Sequence, residues 1–224
     1  MRKIGFILTL LIFAASTFAE ENDEAHQFQS PDKKLEYRTK DGEAEIVKSD
    51  TGESVIKLDV VSGNSLAFET GRVLWAPDSR RFAFNYRAGG RYYGCSVYEL
   101  AGNEWKPLPD FEEKAKAVHE MMNRAEQRDR KRLGVGKNAN RRRIMDEWAA
   151  RRWIDRDTLE VFAKSQGSVV VDKKNEDVDY IGDAVLFTVK CDNRGGWKIT
   201  HLRELSDAEL EKMDKEDEAG DEKD

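Results

Sequence analysis

The sequence predicts a mainly β protein: two to three short antiparallel meanders packed face to face, with a helical hairpin inserted ahead of the last one. Three observations predict it. Short runs that alternate apolar and polar residues are separated by turns of the Asp-Gly type, as at Asp41-Gly42. One turn-and-strand unit, Ser30-Pro31-Asp32 followed by Leu35 and Tyr37, returns as Ala76-Pro77-Asp78 followed by Phe82, Phe84 and Tyr86. Between Asp110 and Arg152 the apolar spacing changes from that of a strand to that of a helix.

Residues 1–19 read as a secretory signal. Arg2 and Lys3 precede the apolar run Ile4 to Ala15, and Thr17-Phe18-Ala19 places small residues where a signal peptidase cuts. Cleavage after Ala19 predicts a periplasmic or secreted protein. The run is shorter than the roughly 20 residues that cross a bilayer, and the mature chain holds no other transmembrane candidate. Residues 20–29 are polar and expected to be flexible.

Residues 30–109 hold two meander modules. In the second, Pro77 presets φ for a tight turn and Asp78 and Ser79 bond back to nearby amides. Phe82, Phe84 and Tyr86 then alternate along a strand, with Trp75 placed to cover its end. Val97-Tyr98-Glu99 stands where Val47-Lys48-Ser49 stood, and Ala101-Gly102-Asn103 where Thr51-Gly52-Glu53 stood. The extra length of the second module falls at Arg87 to Tyr93, a Gly-rich hairpin tip carrying Arg91, Tyr92 and Tyr93.

Residues 110–152 form a basic insertion. Val118, Met121, Met122 and Ala125 fall at helical spacing, as do Ile144, Met145, Trp148 and Ala149, with Leu133-Gly134-Val135-Gly136 as the break. This predicts a helical hairpin. From Arg124 to Arg143 it contains nine Lys or Arg against Glu126 and Asp129. Residues 153–205 make a third, diverged module: Trp153 to Leu159 echoes Trp75 to Phe82 one residue shorter and without proline, and Val185, Phe187 and Val189 alternate beyond it. Residues 206–224 are an acidic tail with ten acids against three lysines, a composition that favours disorder at its end. The basic stretch is either a solvated face that this tail neutralises or a site for an anionic partner.

The units S-P-D-K-K-L-E-Y and W-A-P-D-S-R-R-F-A-F resemble the S-P-D-G-K/R repeat of TolB-type, WD40-like β-propeller blades found in exported bacterial proteins. The glycine usual in that repeat is replaced by Lys33 and by Ser79. The resemblance implies blade-like sheets whose loops bind partner proteins, and no catalytic residue of the family maps onto this chain. Closed propellers have about four to eight blades, so three modules imply an open stack or a ring completed by an oligomer. An alternative resemblance covers Asp183 to Leu205, ending D-N-R-G-G-W-K-I-T-H-L, which is similar to the last hairpin of NTF2-like α+β domains. A separate α+β domain would then begin near residue 110, after a β-meander domain.

Chemistry is sparse. Cys95 and Cys191 lie in strand-like stretches of a chain read as exported, where they either bridge or stay as separate buried thiols. A bridge across that loop is worth roughly 4–5 kcal/mol in the chain-entropy account. His26, His119 and His201 are far apart, and Asp155, Asp157, Asp177, Asp179 and Asp183, as a calcium cluster, do not match an EF-hand loop. No nucleophile elbow, H-E-x-x-H, Walker loop or dinucleotide fingerprint occurs, so no catalytic residue, metal or cofactor is assigned. The reading is a non-enzymatic binding or structural module, with an unknown protein or an anionic polymer as partner and nucleic acid not expected. Its contact candidates are Arg91, Tyr92 and Tyr93 at the hairpin tip and Arg141, Arg142 and Arg143 in the basic insertion, residue types enriched at interface hot spots. A small hydrolase or metal-dependent enzyme, its site assembled only by folding, is the rival.

Overall fold

In the computed structural model, residues 29–40, 43–58, 71–172, 174 and 177–221 are described. The signal segment, residues 20–28 with His26, and the Asp41-Gly42 turn lie outside them. Antiparallel sheets dominate. A first sheet has the order β1 (Leu35–Lys40), β2 (Glu43–Lys48), β3 (Ser54–Leu58). A second meander follows as β4 (Arg72–Trp75), β5 (Arg81–Arg87), β6 (Tyr92–Ala101) and β7 (Glu104–Pro107). Two helical segments come next, α1 (Phe111–Lys114) and α2 (Lys116–Arg132). The third meander is β8 (Arg141–Trp153), β9 (Thr158–Asp172), β10 (Asp177–Cys191) and β11 (Trp197–Glu204), and α3 (Asp207–Asp221) follows it. A short parallel pairing, Tyr92 with Asp146 and Tyr93 with Glu147, joins β6 to β8 and so fuses the second and third meanders into one sheet.

The repeat is written in the backbone hydrogen bonds. The turn before the first long strand closes through Ser30 N to Leu35 O (2.8 Å), Ala76 N to Arg81 O (2.9 Å) and Ile154 N to Thr158 O (2.8 Å). The next strand then donates back at Ser49 N to Lys34 O, Leu100 N to Arg80 O and Cys191 N to Asp157 O. Lys33 and Ser79, standing where the repeat usually has glycine, adopt φ of 59° and 57°. That left-handed conformation costs an L-residue about 1–2 kcal/mol; Ser79 offsets part of it by accepting the Asp32 amide on its hydroxyl at 3.0 Å.

These equivalences give each meander a rear face and a forward face. Tyr37, Ala44 and Ile46 on the forward face of the first pack on Phe82, Phe84, Tyr86 and Tyr98 on the rear face of the second. Ala83, Cys95 and Val97, forward in the second, share a core with Leu159, Val161, Val185, Phe187 and Val189, rear in the third. Phe111 of α1, Val118 of α2 and Ala115 between them complete that core. The strands after the helices therefore stack on the second meander instead of closing as a separate domain.

Two segments differ from expectation. Residues 141–153 form strand β8, not the second half of a helical hairpin. Register shifts between Arg143 and Met145 and between Ala150 and Arg152 break the two-residue period, so its apolar residues fall in doublets that imitate helical spacing. The tail, expected to lose order at its end, is helical through Asp221. Ser206 and Glu209 start that helix with reciprocal bonds, Ser206 N to Glu209 Oε2 at 3.0 Å and Glu209 N to Ser206 Oγ at 3.4 Å.

Candidate binding surface

Arg81 shows how tightly the second and third meanders are tied. It is 4% exposed. Its guanidinium pairs with Glu99, reaches Asp157 Oδ1 at 2.7 Å, and donates to the carbonyls of Arg156 (3.1 Å) and Asp192 (3.4 Å). Burial works against charge at Asp157, yet Arg81 and Arg156 hold its carboxyl below the usual range. Asn85 spans the same junction, donating to Ala150 O and accepting from Ala150 N, both at 2.8 Å.

The six predicted contact residues converge where β6 meets β8, but their roles divide. Tyr92 donates its hydroxyl to Glu112 and packs against the core; burial, then that carboxylate, pushes its pKa up. Arg87 lies over the Tyr93 ring at 5.6 Å, and Arg143 over the Tyr92 ring at 5.7 Å. Arg143 also pairs with Asp146 at 2.6 Å. Arg141 turns inward onto Glu126 (3.4 Å) and the Ser165 hydroxyl (2.8 Å). Arg91 gives one donor to Arg143 O at 3.1 Å. Among the described residues, Arg91 and Arg142 make no ion pair.

Three more arginines of the basic stretch pair with acids outside the tail. Arg128 pairs with Glu204, Arg130 with Glu126, and Arg132 with Asp129. In the tail, Glu209 pairs with Arg203 and Lys215 with Glu211. Bonds from the Ser206 amide and hydroxyl, then Arg203, hold the Glu209 carboxyl down at about 2.

Arg142 lies on the forward face of the third meander. Its register partners place Arg142, Ser168 and Tyr180 in one row across β8, β9 and β10, with Val170 beside Val178 in the next. Phe162 and Leu186 lie on the same face farther along, where Leu210 and Met213 of α3 cover Phe162, Ala184 and Leu205. Beyond that cover the face is open: Tyr180 is 59% exposed, Val178 57% and Val170 45%. With Arg91 and Arg141–Arg143 these side chains border a depression of about 540 Å³. The valines and Tyr180 carry no signal in the sequence that sets them apart as a surface; they lie on the extension of β9 and β10 past the length of the earlier strands.

Other candidates do not assemble. Cys95 and Cys191 are free, buried thiols of one core, and burial pushes them to about 12 and about 11. Asp155 and Asp157 sit before β9, while Asp183, Asp179 and Asp177 of β10 lie opposite Ser165, Val169 and Asp172, roughly 25 to 50 Å along the strand at strand rise. Asp155 instead accepts the amides of Asp157 and Thr158, both at 2.8 Å. His119 contacts Glu112 O at 2.5 Å and packs on Trp148, and His201 is exposed on β11. Among the described residues no group of three His, Cys, Asp or Glu is placed to hold a metal, and no helix is long and apolar enough to cross a membrane.

No protein-family profile and no curated protein matches the chain. Among solved structures, Kluyveromyces lactis Hsv2 (complete loop 6CD) is similar at 13% identity over 80% of this chain and 47% of its own, with a TM-score of 0.29. TolB from Acinetobacter baumannii is similar at 12% identity over 80% and 42%, also at 0.29. These are weak likenesses, and the chain spans less than half the length of either.

Proposed function

We propose that this chain is an exported, non-enzymatic binding module built on blade-like β repeats, and that it takes an acidic, partly apolar protein segment on the forward face of its third meander. One observation carries the reading. The forward face of the third meander runs on past the length of the earlier ones, and on that extension, beyond the part that α3 covers, Val170, Val178 and Tyr180 are exposed beside Arg142. Exposed apolar side chains grouped with unpaired arginine are the composition of an interface centre.

The neighbours favour protein over other anionic surfaces. Asp172 and Asp177 face each other just beyond the two valines. An anionic bilayer would meet those carboxylates first, and a uniformly charged polymer would leave the apolar side chains uncovered. A peptide segment can set acids against Arg91 and Arg142 and apolar groups against the valines and Tyr180. Random peptides displayed on phage and selected on the mature chain test this. The expected winners combine Asp or Glu with aliphatic or aromatic residues, and they bind R142E and Y180S at least about tenfold more weakly, the size of one lost hot spot. Winners indifferent to both substitutions would overturn the reading.

A further inference from the structure

The nine cations from Arg124 to Arg143 do not share one fate. Arg128, Arg130, Arg132, Arg141 and Arg143 sit in ion pairs, and Arg142 borders the depression on the third meander. The three that remain, Arg124, Lys131 and Lys137, are exposed and form no ion pair among the described residues. They are not scattered. All three border a second depression, of about 670 Å³, together with Gln127, Arg128 and Arg130. Among the described residues no acid lines it.

The fold builds this wall in two pieces. Arg124, Gln127, Arg128 and Lys131 recur at three- and four-residue steps, so they share one face of α2. Lys137 comes from the loop beyond, which a Schellman-type close folds back on the helix. Gly134 takes φ of 66°, its amide reaches Lys131 O at 3.2 Å, and Val135 N reaches Arg130 O at 2.9 Å. Arg130, only 8% exposed, then pins the loop. It pairs with Glu126 at 2.8 Å and donates to the carbonyls of Ala139 (3.0 Å) and Gly136 (3.3 Å). The negative end of a helix would oppose an anion, but these bonds give the carbonyls of Arg130, Lys131, Gly136 and Ala139 donors of their own.

We propose that this depression is a site for a small soluble ligand carrying two or more linked phosphate groups. Cations gathered without acids repel one another, and an anion set among them removes that cost. Guanidinium forks and ammonium groups suit phosphate oxygens, which offer more acceptors than one carboxylate. A single phosphate brings a charge of about −1.5 to −2 at neutral pH, less than the three unpaired cations supply. The row from Arg124 to Lys131 is also about 10 Å long at helical rise, so a chain of phosphates fits both its charge and its length. A bilayer fits less well, because the whole chain carries −6 and would be repelled outside the depression. The site shares no lining residue with the depression on the third meander and does not depend on the reading of that face.

Isothermal titration calorimetry with tripolyphosphate and with orthophosphate tests the proposal. It compares the mature chain, a variant carrying R124Q, K131Q and K137Q, and a control of equal charge change, K190Q, R194Q and K198Q, around the β10–β11 turn. The substituted side chains are exposed in both, and matching urea midpoints check that both fold. Tripolyphosphate is expected to bind the mature chain at least about tenfold tighter than orthophosphate does. The first variant is expected to lose at least about tenfold in affinity for it, and the control less than about twofold. Equal losses in the two variants would overturn the site, since overall charge would then account for binding. Absence of tripolyphosphate binding by the mature chain would overturn it as well. Displacement of tripolyphosphate by phosphatidylglycerol vesicles would overturn the small ligand in favour of a membrane surface.

Discussion

Asp183 is the residue at which proton uptake and packing meet most directly. It sits on β10 beneath α2, and its Oδ2 is buried without a hydrogen-bond partner. Burial, then the neighbouring Glu204 carboxylate, raises its pKa to about 6, with Asp129 adding to the rise; the Ala184 amide and Arg128 pull the other way. A carboxyl near 4 in the unfolded chain and near 6 in the folded one binds its proton more tightly when folded. The contribution of Asp183 to stability therefore falls as pH rises from about 4 to about 6 and is flat above that. Asp183→Asn keeps an acceptor for Ala184 and removes the charge. Its urea midpoint is expected to exceed that of the unaltered chain at pH 7.5 and to match it near pH 4. A gain of the same size at both values would mean that the charge is not what burial penalises.

Among the elements, the β9–β10 hairpin depends on close backbone contact at Gly182. A Cβ there would lie 2.3 Å from Ser165 O and 3.0 Å from the Gln166 Cα, both backbone atoms that cannot turn away. The same glycine donates its amide to Asp129 Oδ2 of α2 at 3.3 Å, so the helix caps a strand edge that β11 leaves unpaired. Gly182→Ala is expected to cost about 2–3 kcal/mol by overpacking, read from urea unfolding. A loss below about 0.5 kcal/mol would show that the hairpin opens cheaply there. The elements also differ in how openly the sequence declares them. The turns before β1 and β5 are legible because Pro31, Asp32, Pro77 and Asp78 state their geometry directly. The turn before β9 does the same work through Asp155 alone, with no proline. Strand β8 is hidden by its two register shifts. The start of α3 was available in Ser206-x-x-Glu209, but its acidic composition points the other way.

For the whole molecule, the shared core makes stability collective. Cys95 belongs to the second meander and Cys191 to the third, yet both line the core that holds Val97, Phe111 and Phe187. Buried thiols pushed to about 12 and about 11 are poor nucleophiles at neutral pH. Iodoacetamide is expected to spare both in the native chain and to label both in urea without reductant, along one transition. Two separate labelling midpoints would show that the meanders unfold independently, and refractory thiols in urea would reveal a bridge. The binding surface was half legible at this scale. Charge counting found the arginines, but which of them stay free is decided by Glu126 from α2, Ser165 from β9 and Asp146 three residues along β8.

The faces of the stack also differ in kind at its two ends. The rear of the first meander presents Glu36, Arg38 and Glu45, with Glu36 and Arg38 joined at 3.1 Å, a surface content with water. The forward side of the third offers Phe162, Leu186, Val170 and Val178. Such a structure has a direction of growth. A further copy of the unit spliced in place of α3 would find oily ground to rest on, while the same copy placed ahead of β1 would find none.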